Sequence, residues 1–216
     1  MREYYRTIEH EAIAEFEEKK SRFIAAAKPV ANEEEAIAFI NGIRTQHRMA
    51  SHNVYAYYTA NLIQSKRYSD DGEPQGTAGI PVLDVIVKNG LEDVVIVVTR
   101  YFGGVLLGAA GLVRAYGKSA AAAIEKAGLV EKRLADEWSI LVDYALFQQV
   151  KNEVEKSRFA ILRCEYGADV EISVQIPRDL PFSFSERLAD LTNGTAIAQI
   201  VGKSYMVSAY RKEESG

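Results

Sequence analysis

With 216 residues, 48% of them apolar and 26% charged, the chain has the composition of an ordinary globular protein, long enough to fold as one large or two small domains without disulfides or metals. A single cysteine, Cys164, excludes an internal disulfide and fits a reducing, cytoplasmic setting, while the first 20 residues lack an apolar export signal and no apolar run approaches membrane-spanning length. A net charge of −4 excludes uniform, non-specific adhesion to nucleic acid.

In chain order, alternation across Ala12–Phe16 predicts a half-buried strand, or alternatively an acid-rich helix, and Ser21–Val30 predicts a second strand ending at Pro29. Asn32 followed by three glutamates opens a helix to about His47. Asn32 accepts from an early backbone N–H, Glu35 reaches back, and Ile37, Ile40 and Ile43 share one face. Val54–Thr59 reads as a strand, and Arg67–Gly79 as a polar loop. Val82–Val87 is a short strand or helix before the Asn89-Gly90 turn. Asp93–Thr99 is a buried strand broken by Gly103-Gly104, and an Ala-rich helix spans about Gly108 to Ala127, with Gly128 as its cap.

The charged segment Val130–Asp136 is read as the boundary between domains 1–130 and 131–216. Beyond it come a strand (Trp138–Tyr144), a helix (Phe147–Ser157), a hairpin around Gly167, a helix (Phe184–Leu191) and a last strand (Ala196–Val201). That β-α-β-β-α-β order is the ferredoxin-like pattern, and the chain as a whole is α+β.

Although the protein is acidic, no Asp or Glu occurs from Ala36 to Ser69, where Arg44, Arg48, Lys66 and Arg67 sit, nor from Val94 to Ile124, which carries Arg100, Arg114 and Lys118. These cations form either a local basic face or the solvated charges around a core. In Val97–Tyr116 a strand feeds a glycine-rich turn and then a helix. Gly103 and Gly104 with Arg100 or Arg114 nearby suit a phosphate or carboxylate; alternatively the glycines serve close packing and the arginines pair with Asp70 or Glu73. It is not a phosphate-binding P-loop, because five residues rather than four separate Gly111 from Gly117-Lys118-Ser119. Ser69, Asp70, Asp71, Gly72 and Glu73 put three carboxylates in four residues, either a site for a hard cation such as magnesium or a turn held by side-chain bonds to its own backbone. Histidines 47 and 52 lack the spacing of a metal site, and Ser51 lacks a nucleophile elbow. Tyr55, Tyr57, Tyr58, Tyr101 and Phe102 are either base-stacking surfaces or core and rim residues.

The segments SDDGEPQGTAGIPVLDVI (69–86) and VVTRYFGGVLLGAAGLVRAY (97–116), supported by SRFIAAAKPV (21–30) and HRMASHNVYAY (47–57), resemble the signature of the IMPACT (YigZ-like) family in its bacterial two-domain form. One departure is Ala110, where the family often has glycine. The resemblance implies a ribosomal protein S5 domain 2-like fold followed by a small domain similar to the last domain of elongation factor G. It also implies a translation-associated regulator, in contact with RNA, the ribosome or a translation-associated protein. It implies no catalytic residue, metal or cofactor. The residues themselves favour binding over catalysis. The expected binding edge is Arg100, Tyr101, Gly103, Gly104, Arg114 and Lys118, extended by Arg44, Arg48, Lys66 and Arg67. The rival readings are a protein-binding module without nucleic acid, and an enzyme using magnesium and a phosphorylated small molecule.

Overall fold

The computed structural model describes residues 2–60, 64–178 and 183–209. Among them are ten strands and five helices: β1 (Tyr4–Ile8), β2 (Ala12–Glu18), β3 (Ser21–Pro29), α1 (Glu33–Gln46), β4 (His52–Thr59), β5 (Ser65–Ser69), α2 (Gly79–Lys88), β6 (Val94–Tyr101), α3 (Ala109–Ala127), β7 (Leu129–Val142), α4 (Tyr144–Lys156), β8 (Ala160–Tyr166), β9 (Val170–Pro177), α5 (Ser183–Thr192) and β10 (Ile197–Ala209). They divide into two compact α+β units, one of Tyr5–Glu131 and one built on Lys132–Ser208. No helix among the described residues is long and apolar enough to cross a membrane.

The N-terminal unit is built on an antiparallel sheet in the order β2-β3-β6-β4-β5. Its central strand β6 is buried from Val94 to Arg100, as expected for a β-branched run covered on both faces. One face of the sheet packs on α2 and α3 through residues such as Phe23, Val54, Ile96, Val82 and Tyr116. The other packs on α1 through Ala36, Ile40 and Ile43 against Val95 and Val97. The start of α1 follows the local signal: Asn32 Oδ1 accepts from Glu35 N–H at 2.8 Å, and the Glu35 carboxylate accepts from Ala31 N–H at 2.9 Å. Beneath α1, the Tyr57 hydroxyl donates to the Glu33 carboxylate. Burial first, then that carboxylate, push its pKa up from 10.0 to about 12.

Of the two readings of Val82–Val87, the helix is the one realised, and it begins earlier, at Gly79. Its N-cap residue, Ala78, has no side chain that can cap, so the cap comes from outside the helix: Asp70 Oδ1 accepts from Ala78 N–H at 3.1 Å and Gly79 N–H at 2.8 Å. The polar loop predicted from Arg67 begins later than expected, because Ser65–Ser69 pairs with Tyr55–Thr59 as an edge strand. The charged stretch Val130–Asp136 is not a linker in form. It lies within the continuous strand β7, whose first three residues belong to the N-terminal unit and whose remainder belongs to the C-terminal one.

In the C-terminal unit, β9 lies between β7 and β8, and β10 also pairs with β7. The β8–β9 hairpin turns at Gly167, whose N–H bonds Asp169 O at 2.9 Å. Asp143 caps α4 through Leu146 N–H at 2.9 Å. Val150 and Val154 of α4 and Phe184 and Leu188 of α5 pack with Ile140, Ile172 and Val174 of the sheet.

Candidate functional site

The two long signature segments meet at one buried carboxylate. Glu73 Oε1 accepts from Arg100 Nη1 at 2.7 Å and from the Tyr116 hydroxyl at 2.7 Å. Both side chains of the ion pair are almost wholly enclosed, 4% exposed for Glu73 and 5% for Arg100. Burial, followed by the bond to Glu73, holds the Tyr116 hydroxyl protonated far above its ordinary range. Arg100 Nη2 also reaches Ser21 Oγ at 3.2 Å, and its guanidinium lies against the Phe23 and Phe102 rings, 5.5 and 5.4 Å from their centroids. His52 Nε2 stands 3.8 Å from Glu73 Oε1, and its Nδ1 is 2.8 Å from Asp71 O.

The other acidic-loop residues are committed to the backbone around them. Ser69 Oγ accepts from Asp71 N–H at 3.2 Å. Asp70 Oδ2 accepts from Gly76 N–H at 2.8 Å, while its Oδ1 caps α2. Asp71, at φ +46°, takes Asn53 N–H at 2.6 Å on one oxygen and Arg44 Nη2 at 2.9 Å on the other. Gly72, at φ +87°, makes the left-handed step that sends Glu73 inward. The turn reading of this segment is therefore the one the geometry realises. No group of three or more potential metal ligands occurs among the described residues.

Arg100, expected on a binding edge, lies beneath the surface because a buried carboxylate, the fifth residue of the other motif, claims it. Tyr101 is half-buried, its hydroxyl 3.0 Å from His47 Nδ1. Gly103 is pressed on the β2–β3 turn: a Cβ there would fall 2.0 Å from the Lys20 carbonyl carbon. Its N–H donates to Ser21 Oγ at 3.2 Å, and the preceding Phe102 N–H donates to Ser51 Oγ at 3.2 Å. Gly104, at φ +80°, has open space around it.

Arg114 and Lys118 are exposed on one face of α3. With Lys19, Phe16 and Leu107 they line a hollow of about 200 Å³, where Glu18 is the one carboxylate. The Lys118 ammonium lies 4.8 Å from the centroid of Phe16. Arg48 is exposed just past α1, on the segment that Ser51 N–H ties to Arg100 O at 2.9 Å.

Arg44 is held by Asp71 and lies 5.4 Å from the centroid of Tyr55. Lys66 and Arg67 are not brought to this end of the sheet. Their partners Tyr58 and Tyr57 pair with Val94 and Val95, whereas His52 pairs with Arg100. Five to six residues of strand, roughly 17–20 Å at about 3.4 Å each, separate the two levels.

Sequence reasoning did not single out Lys19, Ser21, Asn53 or the Tyr116 hydroxyl. Lys19 and Lys20 sit at positive φ in a tight hairpin turn, which a Glu-Glu-Lys-Lys run does not announce.

Two family matches cover most of the chain: the Impact N-terminal domain over residues 19–124, and a domain of unknown function, DUF1949, over residues 140–195. The chain is 41% identical to the IMPACT family member YvyE of Bacillus subtilis, over 86% of this chain and 84% of that protein. It is 34% identical to the IMPACT family member YigZ of Escherichia coli, over 82% and 88%. It is also similar to a crystal structure of a hypothetical protein, with 31% identity, a TM-score of 0.59, and coverage of 93% of this chain and 98% of that one.

Proposed function

The chain belongs to the IMPACT family, and from that premise we propose that it is a cytoplasmic, translation-associated regulatory protein that works by binding rather than catalysis. Its contact surface is the face around the glycine turn, and its partner is RNA, free or in the ribosome. The observation that carries this reading is the convergence of Lys19, Arg114 and Lys118 on one hollow, beside a stretch without Asp or Glu from Val94 to Ile124. Cations gathered at one place recruit phosphates by releasing their counterions, whatever the net charge of the whole protein. Arg100 serves this face from below, by fixing the turn.

The same reading assigns residues 1–130 the ribosomal protein S5 domain 2-like fold and residues 131–216 a ferredoxin-like fold, as in the last domain of elongation factor G. Within the sheet β1-β7-β9-β8, to which β10 is added by pairing with β7, the strands β10, β7, β9 and β8 with α4 and α5 as their crossovers support the second assignment.

The test is binding of labelled RNA and of ribosomal subunits at increasing KCl. Affinity falls steeply with salt, and an Arg114→Ala/Lys118→Ala double variant binds more weakly with a shallower salt slope. A flat salt response, or binding undisturbed in the double variant, removes this face from the interaction.

A second reading, a module for a protein partner alone, is favoured by two apolar side chains left in solvent, Met49 at 82% and Leu106 at 81% exposed. A pull-down that survives nuclease treatment selects it. The enzyme reading is weakened by the acidic loop, whose carboxylates already serve backbone amides and arginines.

A further inference from the structure

We propose that Phe102 is a base-stacking platform, so that the face described above takes single-stranded RNA in preference to duplex; this rests on the RNA reading of the preceding section. Phe102 is the aromatic residue at the glycine turn that remains open, with 47% of its surface in solvent. The other aromatic candidates are engaged elsewhere. Tyr57 and Tyr58 are buried in the sheet, Tyr55 lies stacked on Tyr57 with Arg44 over it, and the Tyr101 hydroxyl is tied to His47.

The platform is fixed before any ligand arrives. The Phe102 N–H is held by Ser51, the next residue abuts the Lys20 backbone, and the Arg100 guanidinium lies against the ring. That guanidinium cannot swing away, because Glu73 and Ser21 hold it and the Phe23 ring flanks it. A cation against one face of a π system draws electron density toward itself. The opposite face is left electron-poor, which favours stacking of an electron-rich purine.

Cations stand on the segments that adjoin the turn. Arg48 precedes Ser51 on the segment bonded to Arg100, and Lys19, next to the Lys20 backbone that Gly103 abuts, lines the hollow with Arg114 and Lys118. An open aromatic face with cations on adjoining segments matches an unstacked nucleotide, whose base and phosphate are both free. A duplex offers the phosphates but keeps its base faces covered.

The experiment uses the full chain and fluorescence anisotropy with a 12-nucleotide purine-rich RNA, the same RNA annealed to its complement, and the deoxy strand of the same sequence. Single-stranded RNA binds more tightly than duplex. Phe102→Ala weakens the single strand roughly 5- to 150-fold, the range set by losing one aromatic–base stack, and leaves duplex affinity within about twofold. Phe102→Leu keeps an apolar cover over Arg100 without a π face. It shows the same loss, whereas Phe102→Trp restores binding. Melting curves of all three variants close to that of the parent separate stacking from misfolding.

If RNA binds with the expected salt dependence but single strand and duplex bind equally and Phe102→Leu is neutral, the platform is wrong while the RNA reading survives. If no RNA binds at any salt concentration, both fall. Tighter binding of the deoxy strand reassigns the ligand to DNA.

Discussion

Removal of Glu73 tests the keystone of the N-terminal unit. In Glu73→Ala, the Arg100 guanidinium keeps Ser21 but loses its counter-charge, in a place where its side chain is 5% exposed. Breaking a buried pair from one side costs about 3–5 kcal/mol, since an uncompensated charge is left out of water. The Tyr116 hydroxyl, itself fully buried, loses its acceptor, at about 1–3 kcal/mol more. Against a domain stability of about 5–15 kcal/mol, the variant stands near the threshold of unfolding. The assay is native-state hydrogen exchange of the β6 amides Val95–Val98, which lie in the centre of this sheet and report its opening free energy. The triple variant Glu73→Leu/Arg100→Met/Tyr116→Phe removes all three polar groups at once and recovers to within about 2 kcal/mol of the parent, because no buried charge or hydroxyl remains unpaired. A loss below about 1 kcal/mol in Glu73→Ala, or a triple variant no better than the single one, would refute the reasoning.

Three further outcomes follow from named contacts. Gly103→Ala forces backbone of the β2–β3 turn to move and costs more than about 2 kcal/mol in urea unfolding, whereas Gly104→Ala, strained only by its positive φ, costs about 1 kcal/mol. Asp70→Asn replaces one of two accepting oxygens with a donor. It lowers the melting temperature, and magnesium leaves the melting temperature of both the parent and the variant unchanged, as measured by differential scanning fluorimetry. In an alkaline titration followed at 295 nm, Tyr57 and Tyr116 ionise after the exposed tyrosines, because both folded-state pKa values lie above the unfolded value of 10.0. Their protonated forms therefore contribute stability that is complete below pH 10 and, for Tyr57, is lost as the pH rises toward about 12.

What was legible in the sequence was local. The opening of α1 at Asn32, the buried run of β6 and the Gly128 stop of α3 each depend on residues within one turn or one strand, and each stands where the pattern put it. Pairing of Arg100 with an acidic-loop carboxylate is only one of two readings the sequence allows, and the carboxylate it meets, Glu73, is selected by a left-handed turn at Asp71 and Gly72 that no spacing reveals. The edge strand β5 has a single aromatic, Tyr68, among four polar residues to announce it, and its pairing with β4 comes from register rather than propensity. The charged start of β7 looked like a linker because its side chains are mixed, while its backbone is satisfied by neighbouring strands far away in sequence. Lys19 joined the basic hollow through a hairpin turn that brings β2 beside α3, a tertiary fact with no local trace.

The remote cap of α2 also limits how this region changes over evolutionary time. Asp70 grips the helix start eight and nine positions downstream, so the intervening residues form a closed ring of fixed circumference. Adding or deleting one residue between Asp71 and Thr77 would draw the carboxylate off the Ala78 and Gly79 amides and uncap the helix. Insertions and deletions are therefore expected to be rare here even though the segment is a surface loop, and variation is expected to run through substitutions at the exposed Pro74 and Gln75.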